Sequence, residues 1–453
     1  MIKINKKILQ GPVYKTLLVM TMPIMFANIL QTLYQLIDTF WVGRLGAGAV
    51  AAVSLSFPIL FLLTSFVIGL TMAGTILVAQ YNGEGDRDKV NLISSQTLSI
   101  TTILSIIFGA LGYILSNFLL GLLTSDVVVL SQATSYLQVS FLALPFMFIY
   151  FVFQSNMRGV GNMKVPMYIV LITVVINFVI DPLFMYGFWF IPALGVSGVA
   201  WATFMTEAIA AAIGIIILLS GRFGVKLCLR DLALKKIWVK NIFKIGIPSS
   251  LEHSSRSLES IVMIVIVSVL GTMAVASYGL GMRIFSFAII PAVSFYLSTS
   301  ALVGNNLGAK QFDRAAKFSS AAIKSSFWFL TGLGAVFFIF AEPLAAVLIP
   351  GEQGVIASTV QFIRLMAFTF GLLGIQMVIN GTLKASGRTK IPMILAWVHT
   401  LGLAGLSYIL AIPLSLGIFG VWLAYPIMMT VSWIIAVVVY KKINWQRVII
   451  YKS

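Results

Sequence analysis

Asp38 lies deep in the apolar run QTLYQLIDTFWVGRLG, and an aspartate there needs a reason. Gln31, Tyr34, Gln35 and Asp38 follow i, i+3, i+4, i+7 spacing, so a helix carries them as one polar stripe. An acid at the centre of a membrane helix costs about 2.5–3.5 kcal/mol on insertion scales. The stripe is therefore expected to face the protein interior or a water cavity. There it serves ion chemistry, substrate contact or a buried hydrogen-bond network.

Asp181 poses the same question in INFVIDPLF. Asn177 is one turn earlier on the same face, and Pro182 leaves the Phe178 carbonyl without its usual helical donor. A carboxylate, an amide and a free carbonyl within one turn suit a proton or a hard cation. The alternative is a Pro-kinked helix with Asp181 at the interface. Thr203 and Glu207 share a face further on: Thr203 can add an oxygen to the same site, and Glu207 is either a further titrating group or an interfacial one.

Glu252, Arg256 and Glu259 in IPSSLEHSSRSLES are spaced by four and three, which puts all three on one helical face. An internally paired triad is cheaper to bury than a lone charge, so pairing within the helix is expected, as a packing salt bridge or as a substrate contact. His253 lies off that face and His399 stands alone; both read as satisfied or exposed histidines.

Enzyme signals are weak. The chain has no G-x-x-x-x-G-K-[ST] loop, no H-E-x-x-H and no cluster at metal-ligand spacing. GVSG at 195–198 offers Ser197 to an intramembrane serine hydrolase, but the related GIFG at 417–420 keeps the glycines and loses the serine. The glycines therefore look architectural. The acidic GEGDRD at 83–88 reads as a solvated turn rather than a calcium loop.

The elements that position these groups follow from composition. The chain is 60% hydrophobic and 9% charged, with a mean hydropathy of +1.03, whereas soluble domains carry about 25% charged residues. Such a chain uses lipid as solvent, and lipid permits only helices or closed barrels. The apolar runs, as in 59–79 and 425–440, are long and unbroken, which predicts an all-α membrane protein. Spans are expected near 16–42, 49–80, 92–118, 132–157, 165–186 and 194–220, then near 243–270, 273–304, 317–345, 356–384, 392–413 and 417–440. That makes about twelve transmembrane helices.

The halves repeat. LGAGAVAAVS at 45–54 returns as LGTMAVASYG at 270–279, RGVGNMKVPM at 158–167 as KASGRTKIPM at 384–393, and LGVSGVAWA at 194–202 as LGIFGVWLA at 416–424. Pro23 pairs with Pro248 at the same offset of about 225 residues. The expected organisation is an N-terminal six-helix lobe over 1–220, a cytoplasmic linker over 221–242 and a C-terminal six-helix lobe over 243–453. Six spans return the chain to its starting side, so the repeat is parallel, an architecture found in transporters.

The net charge of +17 sits beside the spans, in the central connection and in alternate loops, including 384–391. This is the positive-inside pattern rather than a nucleic-acid surface, and it places both termini in the cytoplasm. The single Cys228 reads as an incidental thiol, and the first span as an uncleaved anchor.

Together the blocks LYQLIDTFWVGRLG at 33–46, NFVIDPLFMYG at 177–187, LGVSGVAWAT at 194–203 and GIPSSL at 246–251 resemble the multidrug and toxic compound extrusion (MATE) transporters. The resemblance covers essentially the whole chain and is nearest to the DinF-like branch. It implies two six-helix lobes in a V shape, alternating access, and efflux of amphipathic or cationic organic compounds by a monomer in the cell (inner or plasma) membrane. No cofactor is implied beyond a coupling ion, H+ or Na+, and no partner beyond small substrates and lipid. Asp38, Asn177, Asp181 and Thr203 match that branch's cation-site positions and are the candidate Na+ ligands, with Tyr136 added to the cation-binding site. Gln31, Tyr34, Gln35, Glu252, Arg256 and Glu259 remain the candidate substrate contacts. The NorM-like branch carries acids on helices seven and ten; here the helix-seven position falls at Arg256 and helix ten has none in its apolar part. A lipid-linked precursor flippase of the same superfamily is the alternative within transport, and it is expected to line its cavity with several basic groups.

Overall fold

The computed structural model describes residues 3–189 and 192–446. The flanking charges Arg447 and Lys452 lie outside the described residues. All elements among the described residues are helical, in the order α1 (Lys3–Gln10), α2 (Val13–Gly43), α3 (Ala47–Glu84), α4 (Arg87–Gly121), α5 (Val127–Gly159), α6 (Lys164–Tyr186) and α7 (Val196–Ser220). A short 3-10 turn, Leu229–Leu232, leads to α8 (Lys236–Ser268), α9 (Thr272–Gly308), α10 (Phe312–Ile339) and α11 (Ala341–Leu348). The chain then runs through α12 (Gln353–Ala367), α13 (Phe370–Ala385), α14 (Lys390–Ala411) and α15 (Gly417–Lys442).

Each of the expected spans is present as helix, with 317–345 divided at Phe340 between α10 and α11. Ten helices among the described residues are long and apolar enough to cross a membrane, eleven when α12 and α13, bent by 54°, count as one span. The remaining one is α8, 33 residues long, whose Lys236, Lys240, Lys244, Glu252, Arg256 and Glu259 dilute its hydropathy. The span expected over 356–384 is thus two helices rather than one. Gly371 and Gly374 bring α13 so close to α10 that a Cβ on either would fall 2.4 Å from Thr331 Oγ1 or 2.6 Å from Leu330 Cδ1. That approach leaves the turn at Phe368 and Thr369, closed by Thr369 N–H on Met366 O at 2.8 Å, to absorb the change of direction.

The chain divides into two compact units. One holds Phe26–Ser250, the other Lys7–Met25 with Leu251–Ile450. Both breaks lie two residues beyond a repeat-related proline, Pro23 in α2 and Pro248 in α8.

In the first unit the core gathers around α5. Leu137, Phe141, Leu144 and Phe148 pack with Ala49, Ala52 and Val67 of α3 and with Val196 and Val199 of α7. On α4, a Cβ at Gly112 would stand 2.3 Å from the Phe141 ring, so only glycine lets these helices approach. Asp86 and Asp126 start α4 and α5: Lys89 N–H donates to Asp86 at 3.0 Å, and Val128 and Val129 N–H to Asp126 at 2.9 and 3.1 Å. Asp86 also pairs with the Lys89 ammonium at 3.1 Å, so GEGDRD is a capped helix start. Partial burial works against ionisation of Asp86, but the bonds from Lys89 outweigh it and hold the carboxyl below the usual range.

The segment between α7 and α8 is not a loose tether. Gln96 of α4 donates to the carbonyls of Asp231 and Ala233 at 2.6 and 2.7 Å and accepts from Lys235 N–H at 2.8 Å. Ser99 adds a bond to Leu232 O at 2.8 Å. Because α8 begins at Lys236, the expected linker over 221–242 shortens by its last turns.

In the second unit Trp422 of α15 and Phe362 of α12 meet with ring centroids 4.6 Å apart, and a Cβ at Gly281 of α9 would stand 2.4 Å from Phe362. The repeat persists in detail. Gly195 and Gly417, the first glycines of GVSG and GIFG, have φ of +58° and +57°. The glycines three residues on press against the preceding helix: a Cβ on Gly198 would fall 2.5 Å from Phe184 O, and on Gly420 2.6 Å from the Leu410 carbonyl carbon.

Candidate cation and substrate sites

The first site lies within the first unit, where α2, α5, α6 and α7 bring their polar residues together. Asn177 and Asp181 occupy successive turns of α6, and Pro182 is accommodated inside that helix. Both side chains are fully buried. Asn177 Nδ2 donates to Asp181 Oδ1 at 3.0 Å. From α2, the half-buried Asp38 carboxyl comes within hydrogen-bonding reach of both Asp181 and Asn177. Glu207 of α7 adds a third acid close enough to interact with Asp38. Tyr34, one turn before Asp38, shares a 2.8 Å hydrogen bond with Thr206 and approaches Thr203. Tyr136 of α5 lies close enough to Asp38 and Asp181 to interact with both.

The structure therefore brings together Asp38, Asn177, Asp181, Tyr136 and Thr203, with Tyr34 and Glu207 beside them. Four buried oxygens in this cluster, Asp38 Oδ1, Asn177 Oδ1, Asp181 Oδ2 and Glu207 Oε2, have no hydrogen-bond donor among the described residues. Buried acceptors of that kind are nearly always satisfied in folded proteins. Carboxylate and amide oxygens facing one another suit a small hard cation or a proton. The polar stripe on α2 is only half turned inward: Tyr34 is buried, whereas Gln31 and Gln35 are exposed. Thr206, which the sequence did not single out, is the residue that fixes Tyr34.

The second site lies within the second unit. A cavity of about 180 Å³ is lined by Glu252, Arg256 and Glu259 of α8, with Met and Phe side chains around them. The expected triad pairing does not form. Glu252 Oε2 instead pairs with Lys384 Nζ of α13 at 2.8 Å, and Lys384 also donates to Tyr296 OH at 2.8 Å. Arg256 donates to Met377 Sδ at 3.5 Å, and Glu259 accepts from Thr400 Oγ1 at 3.1 Å. Spacing on one helix gives mutual reach but no preference, and a buried ammonium without a partner is far costlier than an exchange of partners. Lys384, counted from sequence among the loop charges of 384–391, is fully buried near the end of α13. His399 is satisfied by Ser432 at 2.8 Å. Ser197 donates to Leu194 O at 2.9 Å, and its unit contains no histidine, since His253 and His399 belong to the other.

Comparison with known proteins agrees with this architecture. The MatE family model matches residues 23–183 and again 248–416, one match per repeat. The chain is 28% identical to the probable multidrug resistance protein YoeA of Bacillus subtilis, over 98% of this chain and 96% of that one. It is 27% identical to the probable multidrug resistance protein YpnP of the same organism, over 91% and 90%. A crystal structure of MATE in complex with MaL6 superposes with a TM-score of 0.92 at 23% identity, covering 98% of both chains. With both halves matched, this multi-pass membrane protein belongs to the MATE family of transporters.

Proposed function

We propose that the chain is a secondary active antiporter that exports amphipathic or cationic organic molecules by alternating access, with inward movement of H+ or Na+ driving the cycle. The relatives' description as multidrug resistance proteins supports efflux. The observation that carries the coupling is the set of four buried oxygens without donors around Asp38, Asn177, Asp181 and Glu207. In this reading Asp38 and Asp181 take up and release the ion, and Asn177, Thr203 and Tyr136 orient it. Occupancy favours one conformation because the ion binds the two states with different affinity. Positive loops hold both termini in the cytoplasm of the cell (inner or plasma) membrane, and one copy of the chain performs the cycle.

Purified protein in liposomes, with sodium and pH gradients imposed independently, tests the reading. Ethidium movement should follow one of the two gradients and stop when it is collapsed. Ethidium movement indifferent to both gradients contradicts it.

A further inference from the structure

The three charged groups of α8 that line the second unit's cavity are not equivalent. Glu252 is neutralised by Lys384 at 2.8 Å. Arg256 forms no ion pair among the described residues, and its hydrogen bond goes to a thioether sulfur, a weak acceptor. Glu259 receives one hydroxyl bond, from Thr400, and likewise no cation. Their i, i+3 spacing makes Arg256 and Glu259 neighbours on the helix surface, yet they do not pair. One positive and one negative group thus face the same cavity, each without a counter-charge. The rest of the wall is largely apolar and soft, with Met282, Met366, Met377 and Met429.

We propose that this cavity binds zwitterionic amphiphiles. The ligand's carboxylate or phosphate pairs with Arg256, its ammonium with Glu259, and its apolar body lies along the methionines, which adapt to different shapes. A singly charged ligand such as ethidium pairs one of these groups and leaves the other without a counter-charge, so it is still accepted but binds this cavity more weakly, and the discrimination comes from what is stranded as much as from what is gained. The proposal rests on the transport reading only in taking this cavity as a substrate site; binding measured without any gradient separates the two.

The test uses three probes on one aromatic body: pyrenylalanine (zwitterion), its methyl ester (cation) and its N-acetyl derivative (anion). Binding is read by pyrene fluorescence on full-length protein in nanodiscs, against protein-free nanodiscs. The zwitterion should bind at least roughly tenfold more tightly than either analogue. Arg256→Gln should abolish its advantage over the ester, and Glu259→Gln its advantage over the N-acetyl form. Arg256→Lys should restore the preference, which separates charge recognition from a folding defect. Equal binding of zwitterion and ester to the wild type, no binding of any probe, or a preference unchanged by both glutamine substitutions overturns the proposal. Zwitterion binding that survives failure of gradient-driven transport supports the cavity assignment and leaves the coupling reading as the part that fails.

Discussion

Lys384 Nζ lies 2.8 Å from Glu252 Oε2, and the two side chains are 0% and 5% exposed. The pair joins α13 to α8 across the interior of the second unit. Removing one partner of such a pair leaves a buried charge uncompensated, at a cost of about 3–5 kcal/mol. Glu252→Gln and Lys384→Met should each lower the melting temperature of the solubilised protein strongly, and the double replacement should recover much of the loss. Arg256→Ala should melt closer to wild type than Lys384→Met, because among the described residues Arg256 has no ion-pair partner to strand. An Arg256→Ala loss larger than that of Lys384→Met would show that Arg256 carries the pairing.

Gly198 and Gly420 hold equivalent positions, where an added Cβ would fall 2.5 and 2.6 Å from the preceding helix's backbone. Backbone cannot rotate away as a side chain can. Alanine at either should therefore cost about 1–3 kcal/mol from overpacking. Ser197→Ala, with its hydroxyl spent on Leu194 O, should be nearly neutral for melting and transport. Thermal melting of the three single variants checks both statements, and a mild effect of the glycine changes would show that the helices can part.

Gln96 fastens the central connection with three hydrogen bonds, two donated at 2.6 and 2.7 Å and one accepted at 2.8 Å. Cys228 in that connection is a reporter. A membrane-impermeant maleimide should label it in lysed cells and spare it in intact ones, consistent with a cytoplasmic connection. In lysed cells Gln96→Leu should accelerate labelling, because the segment loses its hold on α4. Equal labelling of intact and lysed cells would invert the topology.

The parts legible in the sequence are those where lipid makes a residue expensive. Asp38, Asn177 and Asp181 stood out because acids and amides in apolar runs need partners, and the structure brings them together. The paired glycines were legible because the repeat keeps them while changing Ser197 to Phe419. Lys384 was not. KASGRTK reads as the basic end of a span, and only the reach of α13 to Ala385 and the facing Glu252, 132 positions away in the chain, place its ammonium inside. The α2 stripe failed by half for a related reason: periodicity defines a face, but not how much of it neighbours will cover, and Gln31 and Gln35 stay exposed. The bend between α12 and α13 lies beside the close packing of Gly371 and Gly374 on a helix elsewhere in the chain, a contact that no local pattern displays.

In the proposed cycle the Asp38–Asn177–Asp181 cluster carries the coupling ion. Gradient-driven ethidium efflux by Asp38→Asn and Asp181→Asn in proteoliposomes decides whether it does. An asparagine keeps the size and much of the hydrogen bonding but cannot exchange charge. Both variants should melt near wild type and move ethidium no faster than protein-free vesicles, whichever gradient drives the wild type. Efflux near the wild-type rate in either variant would contradict the claim.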